Sequence, residues 1–217
     1  AKGLIEKAPA YTEASGRLAA ILNKEEIERA LKTEGISGFQ LLDLHDFPGQ
    51  GTALVGLLDA FWDSKGVITA ERFRNFCSPV TPLVRFAKAA YTSDEHFRAQ
   101  VEVSNYGDRT LSGQVIGWSV SDGETVLTEG TLPAKDLVVG YNADLGGIDV
   151  PLAAIETPKA LTVRVKLKGT PYENAWTIWV YPAGLVPRSG DVRYTRDFEE
   201  AGRWAAEGYK VLFNPDW

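Results

Sequence analysis

The sequence predicts an α+β protein built from several units, because its hydrophobic pattern changes twice along the 217 residues. Residues 1–79 show helical patterns around one short apolar run, whereas apolar and polar residues alternate through much of 80–182, as they do in half-buried β-strands. Residues 183–217 return to a mixed pattern of strand, helix and strand. We therefore expect a partial α/β segment, an immunoglobulin-like antiparallel β-sandwich and a short C-terminal βαβ segment.

The composition narrows the choice of partners and chemistry. Hydrophobic residues make up 44% and charged residues 24%, which excludes disorder as the main state. The net charge is −6 and no basic run occurs, so we expect no nucleic acid and no membrane partner. The apolar runs are also far shorter than the ~20 residues that span a bilayer. The single cysteine, Cys77, and two histidines give no metal-ligand spacing, so we expect no metal site.

In residues 1–79 the order of helix, buried strand, loop and helix is typical of an α/β barrel or a doubly wound sheet. Two apolar triplets lie on opposite sides of an ideal helix, so we expect a break or kink near Asn23, which has a capping signature. The apolar run 39–44 is predicted to be a strand buried on both faces. A turn-rich loop over 47–52 follows, and a short helix is expected after Thr69.

About seven short strands separated by turn signals predict the sandwich of residues 80–182. Trp118 and Trp176 share the apolar phase of their strands, so we expect both in the core. Trp179 has the opposite phase, which leaves three alternatives: an outward-facing ring, a contact with a neighbouring domain, or a platform for a sugar.

Two glycine-containing stretches do not match phosphate-binding motifs. The segment Gly49-Gln50-Gly51-Thr52 lacks the lysine and the spacing of a P-loop. The pair Gly146-Gly147 is expected to form a turn.

Three segments resemble family 2-type glycoside hydrolases, the β-galactosidase and β-glucuronidase group. Residues 38–53, GFQLLDLHDFPGQGTA, continued by 57–66, LLDAFWDSKG, are similar to the last strand and following loop of the catalytic (β/α)₈ barrel. Residues 75–83, NFCSPVTPL, resemble the passage from barrel to sandwich. The partial α/β segment is then the end of such a barrel.

The resemblance implies three domains and a parent enzyme. Residues 1–79 would be the C-terminal end of the barrel, 80–182 the β-sandwich and 183–217 the start of a further α/β segment. The parent would hydrolyse β-linked sugars with retention and without a cofactor, through two carboxylates. In this family both follow earlier barrel strands, so no catalytic residue is expected in this chain.

The chain is accordingly expected to be a non-catalytic portion that braces the barrel and contributes to substrate binding. Its partners would be the remainder of the barrel and, in the intact parent, carbohydrate. The resemblance favours a periplasmic or secreted location. The alternative from the residues alone is a carbohydrate-binding or structural interaction module without chemistry.

Four residues are candidate sugar contacts: His45, Asp46, Gln50 and Trp62. His45 and Asp46 end the predicted strand, and that end faces the active site in barrel enzymes. Gln50 lies in the adjacent loop, and Trp62 offers a ring for stacking on a sugar. The alternatives are that His45 and Asp46 only order the loop and that Trp62 is a core or interdomain residue. Asp43, inside the apolar run, is either a substrate contact or a buried structural acceptor.

Overall fold

The chain forms two units, residues 1–182 and 183–217. The computed structural model describes residues 3–36, 38–50, 54–184 and 190–215. No helix in these ranges is long and apolar enough to cross a membrane.

The first unit begins with a 3₁₀ turn, Ile5–Lys7, and a long helix α1, Ala8–Leu31. The helix passes through Asn23 without a break, so the expected break there is absent. The Asn23 side chain donates its Nδ2 hydrogen to the Ala19 carbonyl at 2.9 Å and therefore caps no new helix. The two apolar triplets are Leu18, Ile21 and Leu22, and Ile27, Ala30 and Leu31. Because the helix is continuous, only the second triplet faces the rest of the unit, and the first is exposed.

The predicted buried strand at 39–44 is also wrong. The described residues of 38–69 form no strand, and their pairing is limited to isolated bridges such as the one between His45 and Leu58. The Leu42 side chain is 80% exposed. A strand buried on both faces needs neighbouring strands and two covering layers. This segment has neither within the described residues, and no closed barrel is present there.

Helix α2, Ala70–Arg74, begins after Thr69 as predicted, and the Thr69 side chain accepts a hydrogen bond from the Arg72 amide at 3.3 Å. This N-cap satisfies one of the amides that a helix start leaves unpaired.

The β-sandwich follows and confirms the predicted fold class. Its strands are β1 Val80–Phe86, β2 Ala90–Thr92, β3 His96–Asn105, β4 Leu111–Asp122, β5 Thr125–Leu137, β6 Tyr141–Pro151, β7 Lys159–Leu167 and β8 Glu173–Tyr181. A sheet of order β1-β3-β6 packs against a sheet of order β2-β8-β7-β4-β5. All the strand pairs are antiparallel except β2 with β8.

The sandwich core consists of alternate residues from both sheets, as the alternation predicts. Trp176 of β8 is buried in this core. Trp179 lies on the other face of the same strand and is 45% exposed. The core therefore forms from the apolar phase of each strand.

The expected turn at Gly146-Gly147 is not a turn. Both glycines lie inside β6, where the register with β3 shifts between Val101 and Glu102. Gly146 has φ +101°, a left-handed conformation that suits this β-bulge and favours glycine. The glycines bend a strand rather than end it.

The second unit is a βαβ arrangement of β9 Val192–Thr195, α3 Phe198–Ala206 and β10 Lys210–Phe213. The two strands pair in parallel. Asp197 caps α3, because its Oδ1 accepts a hydrogen bond from the Glu200 amide at 2.7 Å.

Candidate functional site

The candidate sugar contacts lie in a loop that is folded back on itself. The Leu58 amide donates to the Leu44 carbonyl and the Asp46 amide donates to the Leu58 carbonyl, each at 3.1 Å. Gly56 packs against the main chain of His45, where an added Cβ would lie 2.5 Å from the His45 carbonyl carbon. Only glycine allows this approach, so the two arms of the loop are held in contact by their backbones.

The buried Asp46 side chain stabilises the same loop through hydrogen bonds. The residue is buried, and its Oδ1 accepts hydrogen bonds from the Lys65 ammonium at 2.7 Å and from the Gly56 amide at 2.9 Å. The hydrogen bond from Lys65 lowers the pKa of the Asp46 carboxyl, with help from the Gly56 amide and against the effect of burial. An ionised Asp46 therefore orders the loop, which is the structural role considered for it above.

His45 and Trp62 form an aromatic pair at the surface. Their ring centroids are 4.4 Å apart, with an angle of 37° between the planes. The His45 Nδ1 lies 2.6 Å from the Asp46 carbonyl oxygen. Because a carbonyl oxygen can only accept a hydrogen bond, Nδ1 carries a proton. Trp62 is 61% exposed and presents an open ring.

A tight turn holds Trp62 in place. Oδ1 of Asp59 accepts hydrogen bonds from the amides of Phe61 at 2.8 Å and Asp63 at 3.0 Å. Trp62 adopts φ +71°, which is unusual for a bulky residue and is retained where the surroundings enforce it. The turn thus fixes the ring beside His45.

Not every predicted sugar contact lies in this loop beside His45 and Trp62. Gln50 is exposed, and its side chain has no hydrogen bond among the described residues. Asp43 is exposed with φ +59°, so the alternative of a buried structural acceptor is wrong for it. Three of the four predicted residues, His45, Asp46 and Trp62, are therefore neighbours, and Gln50 is not shown in contact with them.

A second cluster, which the sequence reasoning missed, joins α1 to the sandwich. Glu28 is 1% exposed and accepts hydrogen bonds from Asn174 Nδ2 at 2.8 Å, Trp176 Nε1 at 2.9 Å and Lys32 Nζ at 3.2 Å. Lys24 also pairs with Glu28, donates to Asn174 Oδ1 at 2.8 Å and lies 4.6 Å from the centroid of the Trp176 ring. The sequence signal was the spacing of Lys24, Glu28 and Lys32 by four residues, which puts them on one helix face.

The charges in this cluster act on Glu28 in opposite directions. Burial opposes ionisation of the carboxyl, but the positive charges of Lys24 and Lys32 and the hydrogen bonds from Lys24 and Trp176 outweigh it and lower the Glu28 pKa. Glu28 therefore stays ionised while buried.

The sandwich also satisfies carbonyl groups at the end of α1. Arg85 Nη2 donates to the Lys32 carbonyl at 2.6 Å, and Asn142 Nδ2 donates to the Leu31 carbonyl at 2.7 Å. These carbonyls have no partner within a helix, so their capping fixes the C-terminal half of α1 to the sandwich.

The described residues hold no group of three or more His, Cys, Asp or Glu side chains placed for a metal ion. Cys77 is half-buried, and burial raises the pKa of its thiol, which disfavours the reactive thiolate.

Comparisons with known proteins give one family model and several solved structures of low identity. The model of a domain of unknown function, DUF8488, matches residues 95–182. No curated protein matches. An Amycolatopsis orientalis exo-chitosanase in complex with PNP-β-D-glucosamine is 16% identical, with 77% of this chain and 18% of that chain covered and a TM-score of 0.47. The CARDB domain of a Pyrococcus furiosus protein, in complex with di-metal ions, is 14% identical, with 48% and 93% covered and a TM-score of 0.35.

A β-glucosidase from intestinal bacteria, involved in saponin metabolism, is 12% identical, with 48% of this chain and 16% of that chain covered and a TM-score of 0.35. Glycoside hydrolases are therefore among the structural neighbours at low identity. The chain spans less than a fifth of the exo-chitosanase.

Proposed function

We propose that this chain is the non-catalytic C-terminal portion of a retaining, family 2-type glycoside hydrolase that acts on β-linked sugars. Residues 1–79 would be the end of its barrel, the sandwich of 80–182 would brace that barrel, and 183–217 would begin a further α/β segment. The proposal rests on one observation: among the described residues of 3–79, more large apolar side chains lie on the surface than in a core.

We call the large apolar side chains of this stretch the apolar layer. Most of them are exposed, whereas those of an ordinary folded domain are mostly buried. Its buried apolar side chains are Ala20, Ile27, Leu57 and Phe76. Its exposed large apolar side chains are Leu4, Ile5, Tyr11, Leu18, Ile21, Leu22, Phe39, Leu42, Phe47, Leu54, Val55, Phe61 and Trp62. Exposed apolar surface of this kind marks a binding surface for another polypeptide, a ligand or a membrane. The resemblance of residues 38–66 to a barrel end supports the remainder of a barrel as that polypeptide.

The loop geometry supports a part in substrate binding. The Trp62 ring is exposed, the His45 ring lies against it, and the buried Asp46 holds the loop that presents both. An open aromatic ring next to an imidazole suits a sugar, which offers C–H groups to the ring and hydroxyls to the nitrogen. In the intact parent this pair would contact a sugar.

Sedimentation velocity and binding of a hydrophobic dye test the apolar layer. We expect the chain to self-associate and to bind the dye, and we expect the double variant Leu18→Lys, Ile21→Lys to reduce both. The matched control is Val126→Lys, which changes an equally exposed side chain on β5 of the sandwich. A monomeric chain that binds no dye, or equal effects of the two variants, would contradict the proposal.

A module that binds sugar through the sandwich is the second candidate function, because Trp179 and Tyr181 of β8 expose their rings side by side. Titration with β-linked oligosaccharides separates the two candidates. Loss of binding in Trp62→Ala favours the barrel end, whereas loss in Trp179→Ala alone favours the module.

A further inference from the structure

Helix α1 carries a second apolar stripe, on the side opposite its buried residues. This α1 stripe consists of Tyr11, Ala14, Leu18, Ile21 and Leu22. All five residues are exposed, and the four large side chains are each more than half exposed. At about 100° per residue, Leu18 lies about 160° around the helix from the buried Ala20 and about 180° from the buried Ile27. A helix with apolar side chains on two opposite sides is typical of an element that is covered on both.

The two ends of the α1 stripe carry opposite charges. Lys7 lies one turn before Tyr11 and Glu25 lies one turn after Ile21, so both continue the stripe. Both are exposed, and among the described residues neither forms an ion pair. The other charged residues of α1 all do: Glu13 with Arg17, Lys24 with Glu28, and Glu26 with Arg29. Lys7 and Glu25 are about 27 Å apart along the helix, so they cannot pair with each other within one chain.

The α1 stripe is complementary to itself in an antiparallel arrangement. Three pairs of its positions are equally distant from position 16: Lys7 and Glu25, Tyr11 and Ile21, and Ala14 and Leu18. A two-fold axis at this position therefore sets Lys7 of each copy against the partner's Glu25, and the small Ala14 against the larger Leu18.

The charges also select this register and direction. A shift of one turn in one direction would set Glu25 against Tyr11, and a shift in the other direction would set Lys7 against Ile21. Either shift would place an unpaired charge on an apolar side chain. A parallel pair of helices would bring like charges together at both ends, which is unfavourable.

We propose that α1 docks against α1 of a second copy of this chain, as an antiparallel pair of helices with two reciprocal contacts between Lys7 and the partner's Glu25. The inference goes beyond the proposed function, because it assigns the α1 stripe alone to a second copy. The remaining apolar layer, from Phe39 to Trp62, is left to the barrel.

Sedimentation velocity of the full chain over a series of concentrations tests the docking, with helix content checked by circular dichroism. We expect a monomer–dimer equilibrium that Lys7→Glu and Glu25→Lys each weaken at least about tenfold, because each variant sets like charges against one another at both ends. One variant lowers the net charge of −6 by two units and the other raises it by two. General repulsion between copies therefore cannot explain a weakening in both.

Restored charge pairs give the sharper readout. The double variant Lys7→Glu, Glu25→Lys should dimerise as the unaltered chain does, and so should an equimolar mixture of the two single variants, because every pair is again of opposite charge. The matched control is Glu13→Lys, which makes the same change of charge on α1 as Glu25→Lys. Glu13 lies about 140° around the helix from Leu18, so this control should leave the dimer unchanged.

Three results would overturn the inference: a chain that stays monomeric, single variants that shift the association in opposite directions, or no recovery in the double variant and the mixture. A monomeric chain that still binds the hydrophobic dye would overturn it while leaving the proposed function intact. Recovered dimerisation, together with sugar binding that is lost only in Trp179→Ala, would support the inference and contradict the proposed function.

Discussion

Replacing Glu28 with glutamine should release the C-terminal half of α1 from the sandwich. The variant keeps the shape of the side chain but removes its charge, so Lys24 and Lys32 lose their partner. A glutamine offers one acceptor oxygen in place of two, so the hydrogen bonds from Asn174 and Trp176 cannot both persist in their present positions.

The expected size of the effect follows from burial. Side-chain exposure is 1% for Glu28 and 18% for Lys24, so solvent screens this pair little. Removing one partner of a buried ion pair typically costs about 3–5 kcal/mol, because the other charge stays buried. We expect the free energy of unfolding of the first unit to fall by that amount.

Urea denaturation followed by circular dichroism measures the change, and hydrogen exchange of the α1 amides locates it. The matched control is Glu26→Gln on the same helix, where the carboxylate is 70% exposed and pairs with Arg29. An exposed pair contributes about 0–1 kcal/mol. If Glu28→Gln costs no more than Glu26→Gln, the cluster does not fasten the helix and our reasoning is refuted.

Three further predictions concern pH, the loop and the second unit. The folded-state pKa of Glu28 lies below its ordinary 4.5, so its contribution to stability is complete above that pH and is lost as the pH falls through the folded-state value. As the pH is lowered, the free energy of unfolding should therefore fall less steeply for Glu28→Gln than for the unaltered chain. Parallel curves would contradict this. Gly56→Ala should separate the His45 and Trp62 rings, visible as loss of their NMR cross-peaks, since the new Cβ has no room. The control Gly202→Ala lies in α3, where a Cβ has open space; it should stabilise its helix by about 1 kcal/mol and keep the His45–Trp62 cross-peaks. If both variants kept these cross-peaks, the packing argument would be refuted. Asp197→Ala should cost α3 about 0.5–2 kcal/mol through the lost N-cap, measured by thermal unfolding, and an unchanged midpoint would exclude that cap.

The sandwich was predictable because burial on one face of a strand leaves a period of two in the sequence. Phe97 and Trp176 are buried and Trp179 faces out, as that period requires. The N-cap at Thr69 was also predictable, because its role depends only on the local backbone.

The rest depends on contacts between distant residues. The run 39–44 has the composition of a buried strand, but a strand needs neighbours that the described part of the chain does not supply. The Gly146-Gly147 pair has a turn composition, and only pairing with β3 makes it a bulge. Glu28 looks like a surface residue of a helix until its partners Asn174 and Trp176, far along the chain, are known.

The candidate site was predicted only in part, because it also depends on contacts between distant residues. His45 and Asp46 are adjacent in sequence, so their shared location was certain, but their contacts with Trp62 and Lys65 arise from the folding back of the loop. Whether these residues touch sugar stays a prediction.

The most direct measurement is hydrolysis of a panel of aryl β-glycosides, comprising the galactoside, glucuronide, mannoside and glucoside, by the folded chain at high concentration. A chain without the two carboxylates of a retaining glycosidase should turn over none of them. Turnover that follows the purified protein and disappears in Asp46→Asn would contradict the account, because it would place a catalytic carboxylate in the loop that we assign to structure and binding.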